Sequence, residues 1–433
     1  MLLTQQDDAL STPSFANRIT IPLLGALVVL LAIWQFFSAV DDREFHRDEA
    51  RWIHRAVYLR ELLHPFSDYW DESTWRTSGS SADEIYRLRA QPPVGSYVIG
   101  IGMLLQGEPL PHIGYWNMDH DDAWNAERGN KPSDAQLLAA RRTTAAVGVL
   151  TALLIYLIGL RLTNPVGAAA GAAFFALHPL AIYLATFAGS DITLIFFIAL
   201  SAWLAARVAE RPTWSRAILL GIAIGLGGGT KLSPLGIAIV LALLGVILIG
   251  WRWLSGRNDH GMAKKGIDKL GLLLLSTPFV AAATFVASYP YLWPDPIRHS
   301  RNLLDYRTWG MEVQSTLWTQ VAISGPREAV QRSWHRFASE DWSLLGRFLG
   351  VAWPVELWLA LIGAVILAWL IWKRGLASGT ALIAVVLGTM VVITFGGMGV
   401  DWARYHGPIL LAMAVCTGVT VGWVTRGLKD LTS

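Results

Sequence analysis

Apolar residues in this chain are gathered into long runs separated by short polar connections, with little of the alternation expected of strands. A helix needs about 18 to 20 apolar residues to cross the hydrocarbon layer of a bilayer. Ten runs approach or exceed that length: Thr20 to Val40, Leu137 to Leu160, Val166 to Ala185, Ser190 to Val208, Arg216 to Gly229, Leu232 to Trp251, Leu270 to Tyr289, Gly350 to Trp372, Ala377 to Phe395 and Tyr405 to Val424. The pattern predicts an all-α polytopic membrane protein of about ten transmembrane helices, organised as one membrane-embedded domain over 1–433. The first run follows Asp7 and Asp8, with only Arg18 positive, and exceeds the roughly 7 to 15 residues of a signal-peptide core, so it reads as a retained helix.

An eleventh run, Val94 to Gln106, follows Pro92 and Pro93 and has about two thirds of the spanning length. Charge decides its placement. If it does not cross, the connections carrying Arg161, then Arg207, Arg211 and Arg216, then Arg252, Arg257, Lys264, Lys265 and Lys269, then Lys373 and Arg374, then Arg426 and Lys429 all fall on one side. That satisfies the excess of Lys and Arg in cytoplasmic loops. Val94 to Gln106 is therefore expected to dip into the membrane or lie at its surface, with both termini cytoplasmic. A short, tilted true crossing is the alternative.

Composition fits this reading: 53% of the 433 residues are hydrophobic and 15% charged, and mean hydropathy is +0.42. The net charge of +3 is dispersed between apolar runs, which argues against a nucleic-acid surface. One cysteine, Cys416, excludes an internal disulfide framework and a cysteine-built metal site. Many of the 21 tryptophans fall at the ends of apolar runs, as interfacial anchors do.

The topology sends two long loops to the outer face, 41–136 and 290–349, together with the turns Gly189 to Asp191, Thr230 to Ser233 and Gly396 to Arg404. Each long loop holds an expected interfacial helix. Trp52, Ala56, Leu59 and Leu63 form the apolar stripe of the first; Val330, Trp334 and Phe337 form that of the second, with Arg332, His335 and Arg336 toward headgroups.

Chemistry is sought on that face. Asp48 and Glu49, in His46-Arg47-Asp48-Glu49-Ala50-Arg51-Trp52, follow the first span closely. A carboxylate partly desolvated there gains proton affinity and suits a general base, although an acid favoured by the dipole at a helix start explains the pair as well. Asp191 opens the fourth span, where an N-cap is the plainer account, but it shares the face of Asp48. Lys231 lies in Gly227-Gly228-Gly229-Thr230-Lys231, which lacks Walker A spacing yet could hold a phosphate as a point charge; snorkelling to the interface is the other reading. Arg141 and Arg142 carry the same two readings, with a guanidinium fork matched to phosphate. His46 and Gln91 are candidate substrate-binding residues. No metal site is expected; the run Asp119-His120-Asp121-Asp122 would bind a divalent cation only weakly, and a solvated acidic loop explains it. His178, before Pro179 inside the third span, suggests a kink.

In order, these fragments resemble the membrane glycosyltransferases of the C superfamily, in the family 39 group of protein O-mannosyltransferases and aminoarabinose transferases. The resemblance rests on Asp48-Glu49, Gln91-Pro92-Pro93-Val94-Gly95, Arg141-Arg142-Thr143-Thr144, His178-Pro179 leading to Asp191-Ile192-Thr193, and Thr230-Lys231, over roughly Thr20 to Trp251. It implies inverting transfer of a sugar from a polyprenyl-phosphate donor to a lipid, glycan or protein acceptor on the outer face of the plasma membrane. Asp48 would be the base, Asp191 would orient acceptor or sugar, and Arg141 and Lys231 would stabilise the departing lipid phosphate. Some relatives have an acid or histidine where Gln91 stands, and glutamine is a poor metal ligand. The rival reading is a transporter or flippase of a lipid-linked saccharide, although no internal repeat of the transporter kind is evident.

Overall fold

The computed structural model describes residues 15–74, 89–255, 262–339, 342–344 and 354–432. Asp7, Asp8, Arg257 and the beginning of the expected Gly350 span lie outside them. Among the described residues no strand forms; one isolated antiparallel bridge joins Ala322 to Val400.

The helices are α1 Phe15–Ser38, α2 Arg47–His54, α3 Val94–Leu105, α4 Asp134–Leu162, α5 Pro165–Leu177, α6 Pro179–Thr186, α7 Asp191–Glu210, α8 Trp214–Gly228, α9 Leu235–Ser255, α10 Met262–Ala287, α11 Pro296–Leu317, α12 Pro326–Ala338, α13 Val355–Arg374, α14 Gly379–Gly397 and α15 Gly407–Thr432. Among the described residues eight are long and apolar enough to cross a membrane, and the pair α5 and α6, bent by 62°, makes a ninth. The bend falls at His178, as the His178-Pro179 pair predicts: proline cannot donate to the preceding turn, and His178 Nδ1 accepts the Leu180 N–H at 3.1 Å to cap the new start. The remaining expected span is α8, only 15 residues or about 22 Å long. It nevertheless runs between the two ends of the bundle. Arg216 donates to the Arg207 carbonyl at one end, and the Gly229 carbonyl accepts Val94 N–H at the other.

Close packing inside lipid depends on small residues, since apolar side chains gain nothing by leaving hydrocarbon for one another. The crossing of α5 and α15 shows this. Gly167 and Gly171 on one helix meet Gly418 and Gly422 on the other, two matched four-residue steps. A Cβ added at Gly171 would lie 2.5 Å from the Ala414 carbonyl oxygen, so any side chain there forces the helices apart.

Basic residues gather at the end opposite the long loops. Arg161 pairs with Glu210 at 2.7 Å, and Arg374 reaches the Arg161 carbonyl and Thr380. At the loop end lies α3. Its first residues touch the start of α7 and the end of α8: a Cβ on Gly95 would meet Ser190 at 2.5 Å. Its far end, Gln106, donates to the Ala139 carbonyl near the start of α4 at 2.8 Å. Both ends of α3 therefore abut the same end of the bundle, and the helix lies across that end, as expected for Val94 to Gln106.

The first loop forms a helical stretch from Arg47 to Glu61 with its apolar stripe turned in, except that Leu63 is exposed. The second loop contains α12 as expected and also α11, a polar and largely exposed helix that hydropathy alone does not announce. Within α12 the stripe is mixed: Phe337 is buried, whereas Val330 and Trp334 are exposed. Arg336, expected toward headgroups, instead turns to Asp401.

Candidate active site

The loop end builds its site from the start of α2. His46 caps the helix, its Nδ1 accepting the Asp48 N–H at 3.1 Å, while Glu49 Oε2 accepts the His46 N–H at 3.0 Å. This reciprocal cap fixes the turn and sends the two neighbouring carboxylates in different directions. Glu49 is fully buried and takes a bidentate grip from Arg141, Nε to Oε1 at 2.9 Å and Nη2 to Oε2 at 2.7 Å, with the Ala188 N–H as a further donor at 3.0 Å. Arg141 gives its remaining donors to the carbonyls of Arg43 at 2.7 Å and Glu44 at 2.9 Å. A guanidinium so committed has no fork left for a phosphate. In this arrangement Arg141 and Glu49 satisfy one another, and the pair ties the first loop to α4. Arg142, one residue on, is exposed and makes no hydrogen bond or ion pair among the described residues with the site groups.

Asp48 faces the cluster that remains. Its Oδ2 accepts from Arg404 Nη1 at 2.6 Å, a contact between residues 356 positions apart. Asp191, the first residue of α7 and buried, pairs with Lys231. Arg404 feels the charge of both Asp48 and Asp191, which brings the two pairs into one electrostatic unit. At its centre is Tyr405: Lys231, Arg307 and Arg404 each lie 5.7 Å from its ring centroid, and Arg307 reaches its hydroxyl at 3.5 Å. The Asp48 and Arg404 side chains keep about a quarter of their surface open (24% and 25%), so a ligand can reach them.

Burial raises the proton affinity of Asp48, as the sequence suggests, but the charge and hydrogen bond of Arg404, with smaller contributions from His46 and Arg51, outweigh it. The carboxyl is held below the usual range while Arg404 stays in place.

Gln91 is held by Arg55, whose buried guanidinium lies 4.7 Å over the Trp52 ring beside a wall of Tyr58, Trp70 and Tyr289. Pro92 and Pro93 then lead to Val94, whose N–H donates to the Gly229 carbonyl at 2.8 Å, two residues before Lys231. In the acidic run, Asp121 caps the short helix Asp122–Glu127, Asp122 pairs with Arg47 at 2.9 Å and His120 stacks on Trp124 at 3.8 Å. Among the described residues no group of three or more His, Cys, Asp or Glu side chains is arranged to hold a metal ion.

Three site residues escape a reading by motif: Arg307, Arg404 and Tyr405. The available signal was the run Asp401-Trp402-Ala403-Arg404-Tyr405-His406, charged and aromatic between two apolar spans.

An all-helical, polytopic membrane bundle is the fold of the C-superfamily membrane glycosyltransferases. The chain matches the model of the dolichyl-phosphate-mannose-protein mannosyltransferase family over residues 56–287, more than half its length, and belongs to that family. In fold it is similar to the oligosaccharyltransferase AglB of Archaeoglobus fulgidus, solved with an inhibitory peptide and a dolichol-phosphate (TM-score 0.56, 12% identity, 96% of this chain and 52% of that one). It is similar also to ArnT of Cupriavidus metallidurans, solved with undecaprenyl phosphate (TM-score 0.50, 15% identity, 94% of this chain and 62% of that one). The chain spans about half the length of the first and three fifths of the second. No curated protein matches it significantly in sequence.

Proposed function

We propose that this protein transfers a glycosyl group from a polyprenyl-phosphate-linked donor to a nucleophilic acceptor, with inversion, at the extracytoplasmic face of the plasma membrane. The observation that carries the reading is the convergence of Asp48, Asp191, Lys231, Arg307, Arg404 and Tyr405 at the loop end of the bundle, where a lipid phosphate headgroup lies. Basic residues at the opposite end support placing the site outside and both termini in the cytoplasm.

The geometry supports a sequence of exchanges. An arriving phosphodiester is an anion that competes with Asp48 for Arg404, while Lys231 and Arg307 add positive charge nearby. Once Arg404 turns to phosphate, Asp48 loses the partner that lowers its proton affinity and keeps the burial that raises it. The acceptor oxygen or nitrogen attacks the anomeric carbon from the face opposite the phosphate. Its proton passes to the Asp48 carboxylate, and the carbon–oxygen bond to phosphate breaks with the electron pair going to the phosphate oxygen. Polyprenyl phosphate leaves with an extra negative charge, which Arg404 and Lys231 stabilise. Asp191, fixed by Lys231, is placed to orient acceptor or sugar hydroxyls.

The test is turnover in proteoliposomes supplied with a polyprenyl-phosphate sugar, read by mass spectrometry of acceptor and lipid. Asp48→Asn is expected to abolish transfer while the donor still binds; undiminished transfer by that variant removes Asp48 as the base.

A further inference from the structure

Arg404 and Tyr405 enter the site on the turn between α14 and α15, and the second loop grips that turn through buried contacts that the transfer chemistry does not use. Asp401 Oδ1 accepts from Arg336 Nε at 2.6 Å and from His406 Nε2 at 2.9 Å. Arg336 Nη2 also reaches the Asp401 carbonyl at 2.7 Å. The Asp401 N–H donates to the Val321 carbonyl at 2.7 Å, and Ile323 N–H to the Gly399 carbonyl at 2.9 Å. On its other side His406 Nδ1 lies 3.1 Å from Ser333 Oγ; with the Nε2 proton donated to Asp401, Nδ1 accepts the serine proton, for which the Ala329 carbonyl at 2.8 Å is the competing acceptor.

A serine, a histidine and an aspartate in line suggest a nucleophile, but the surroundings exclude it. Ser333 and His406 are buried, and the rings of Trp342 and Phe337 stand 5.6 and 6.1 Å from His406, leaving no approach for a substrate. What the chain of contacts does is close a loop. Arg404 lies between Asp401 and His406 in the one-turn helix Ala403–His406, and the Asp401 to His406 hydrogen bond ties the two sides of that turn.

We infer that Arg336, Asp401, His406 and Ser333 are positioning residues, through which the second loop sets Arg404 against Asp48. The inference rests on the glycosyl-transfer reading above and gives the second loop a task in it. Groups facing Asp48 are Arg404 from the turn and His46 and Arg51 from its own segment; Asp191, Lys231, Arg307 and Tyr405 lie beyond Arg404. Asp401 and Arg336 are the charged groups facing His406.

The experiment is Asp401→Asn, which keeps the shape of the side chain and removes the charge that holds Arg336 and His406. Displacing Arg404 by an ångström is expected to lower kcat on the order of 100-fold, with KM for the acceptor nearly unchanged. The Asp48 carboxyl then titrates higher, since an opposite charge has withdrawn. Infrared difference titration of its band, assigned with Asp48→Asn, reads this without turnover, and in an Arg404→Ala background Asp401→Asn has no further effect. If Asp401→Asn does not fold, as judged by thermal unfolding in detergent, Ser333→Ala makes the same test with a smaller shift. An Asp48 titration that ignores both substitutions, or effects of Asp401→Asn and Arg404→Ala that simply add, overturns the inference. Wild-type protein that binds the donor yet transfers nothing overturns the transfer reading instead, and leaves the infrared result to decide the positioning.

Discussion

Replacing Glu49 by alanine tests whether the fully buried carboxylate beside the proposed base is an anchor or a participant. Four donors converge on it: Arg141 through Nε and Nη2, and the N–H groups of Ala188 and His46. Truncation leaves the Arg141 charge buried with only carbonyls for partners. Breaking a buried ion pair in this way costs about 3–5 kcal/mol. The Ala188 N–H, also buried, adds about 1–3 kcal/mol as an unsatisfied donor. A loss of about 4–8 kcal/mol approaches the whole stability of many folded proteins, ~5–15 kcal/mol. Glu49→Ala is therefore expected to be poorly folded, Arg141→Ala comparably so, and the double variant far less damaged than the sum, because neither charge is then stranded. Glu49→Gln keeps the shape and one acceptor, and falls between wild type and Glu49→Ala. The assay is thermal unfolding in detergent, with turnover measured per folded molecule. Wild-type unfolding of Glu49→Gln combined with complete loss of turnover would refute this assignment and return Glu49 to the chemistry.

Lys231→Ala removes a charge paired with Asp191 and aimed at the expected phosphate; donor binding should weaken about 10-fold or more, read by titration with polyprenyl phosphate. Asp401 is pulled in opposite directions by burial, which raises its pKa, and by the His406 and Arg336 hydrogen bonds and charges, which prevail and bring it to about 2. Its contribution to stability is then complete above the ordinary carboxylate range near pH ~4 and is lost as pH falls toward 2, and Asp401→Asn should remove that part of the acid transition from an unfolding series. Gly171→Leu should separate α5 from α15 and lower the unfolding temperature, whereas Gly388→Leu, where an added Cβ meets nothing within 4 Å, should be mild by the same measure. A reporter fused after Lys131 should be extracytoplasmic; a cytoplasmic reporter would overturn the proposed orientation.

How far the site was legible follows from where each residue's partners come from. Asp48 and Lys231 were recognisable because each is an ionisable group just beyond an apolar run, a placement costly enough to call for a reason. The same criterion selected Glu49 and Arg141 without revealing that they pair, since sequence shows that a charge is present and not that its counter-charge has been brought to it. Glu49 and Arg141 are 92 positions apart, and only packing of the first loop on α4 joins them. Arg404 failed from the other direction. It lies in a turn between two apolar spans, but it carries no motif, and its meaning comes from Asp48 at the far end of the chain.

What the sequence determined by itself was the membrane frame: the apolar runs that become the long helices and the kink at His178-Pro179. Each is a local property, because the bilayer sets a fixed length and a fixed penalty for charge, and a run of residues meets them or does not. The tertiary structure decided that Glu49 is paired with Arg141 and Asp48 with Arg404, and that Asp401 and His406 hydrogen-bond beside that arginine. Those are pairings of groups distant in the chain, and electrostatics of this kind depends on separation and burial, which exist only once the helices have packed.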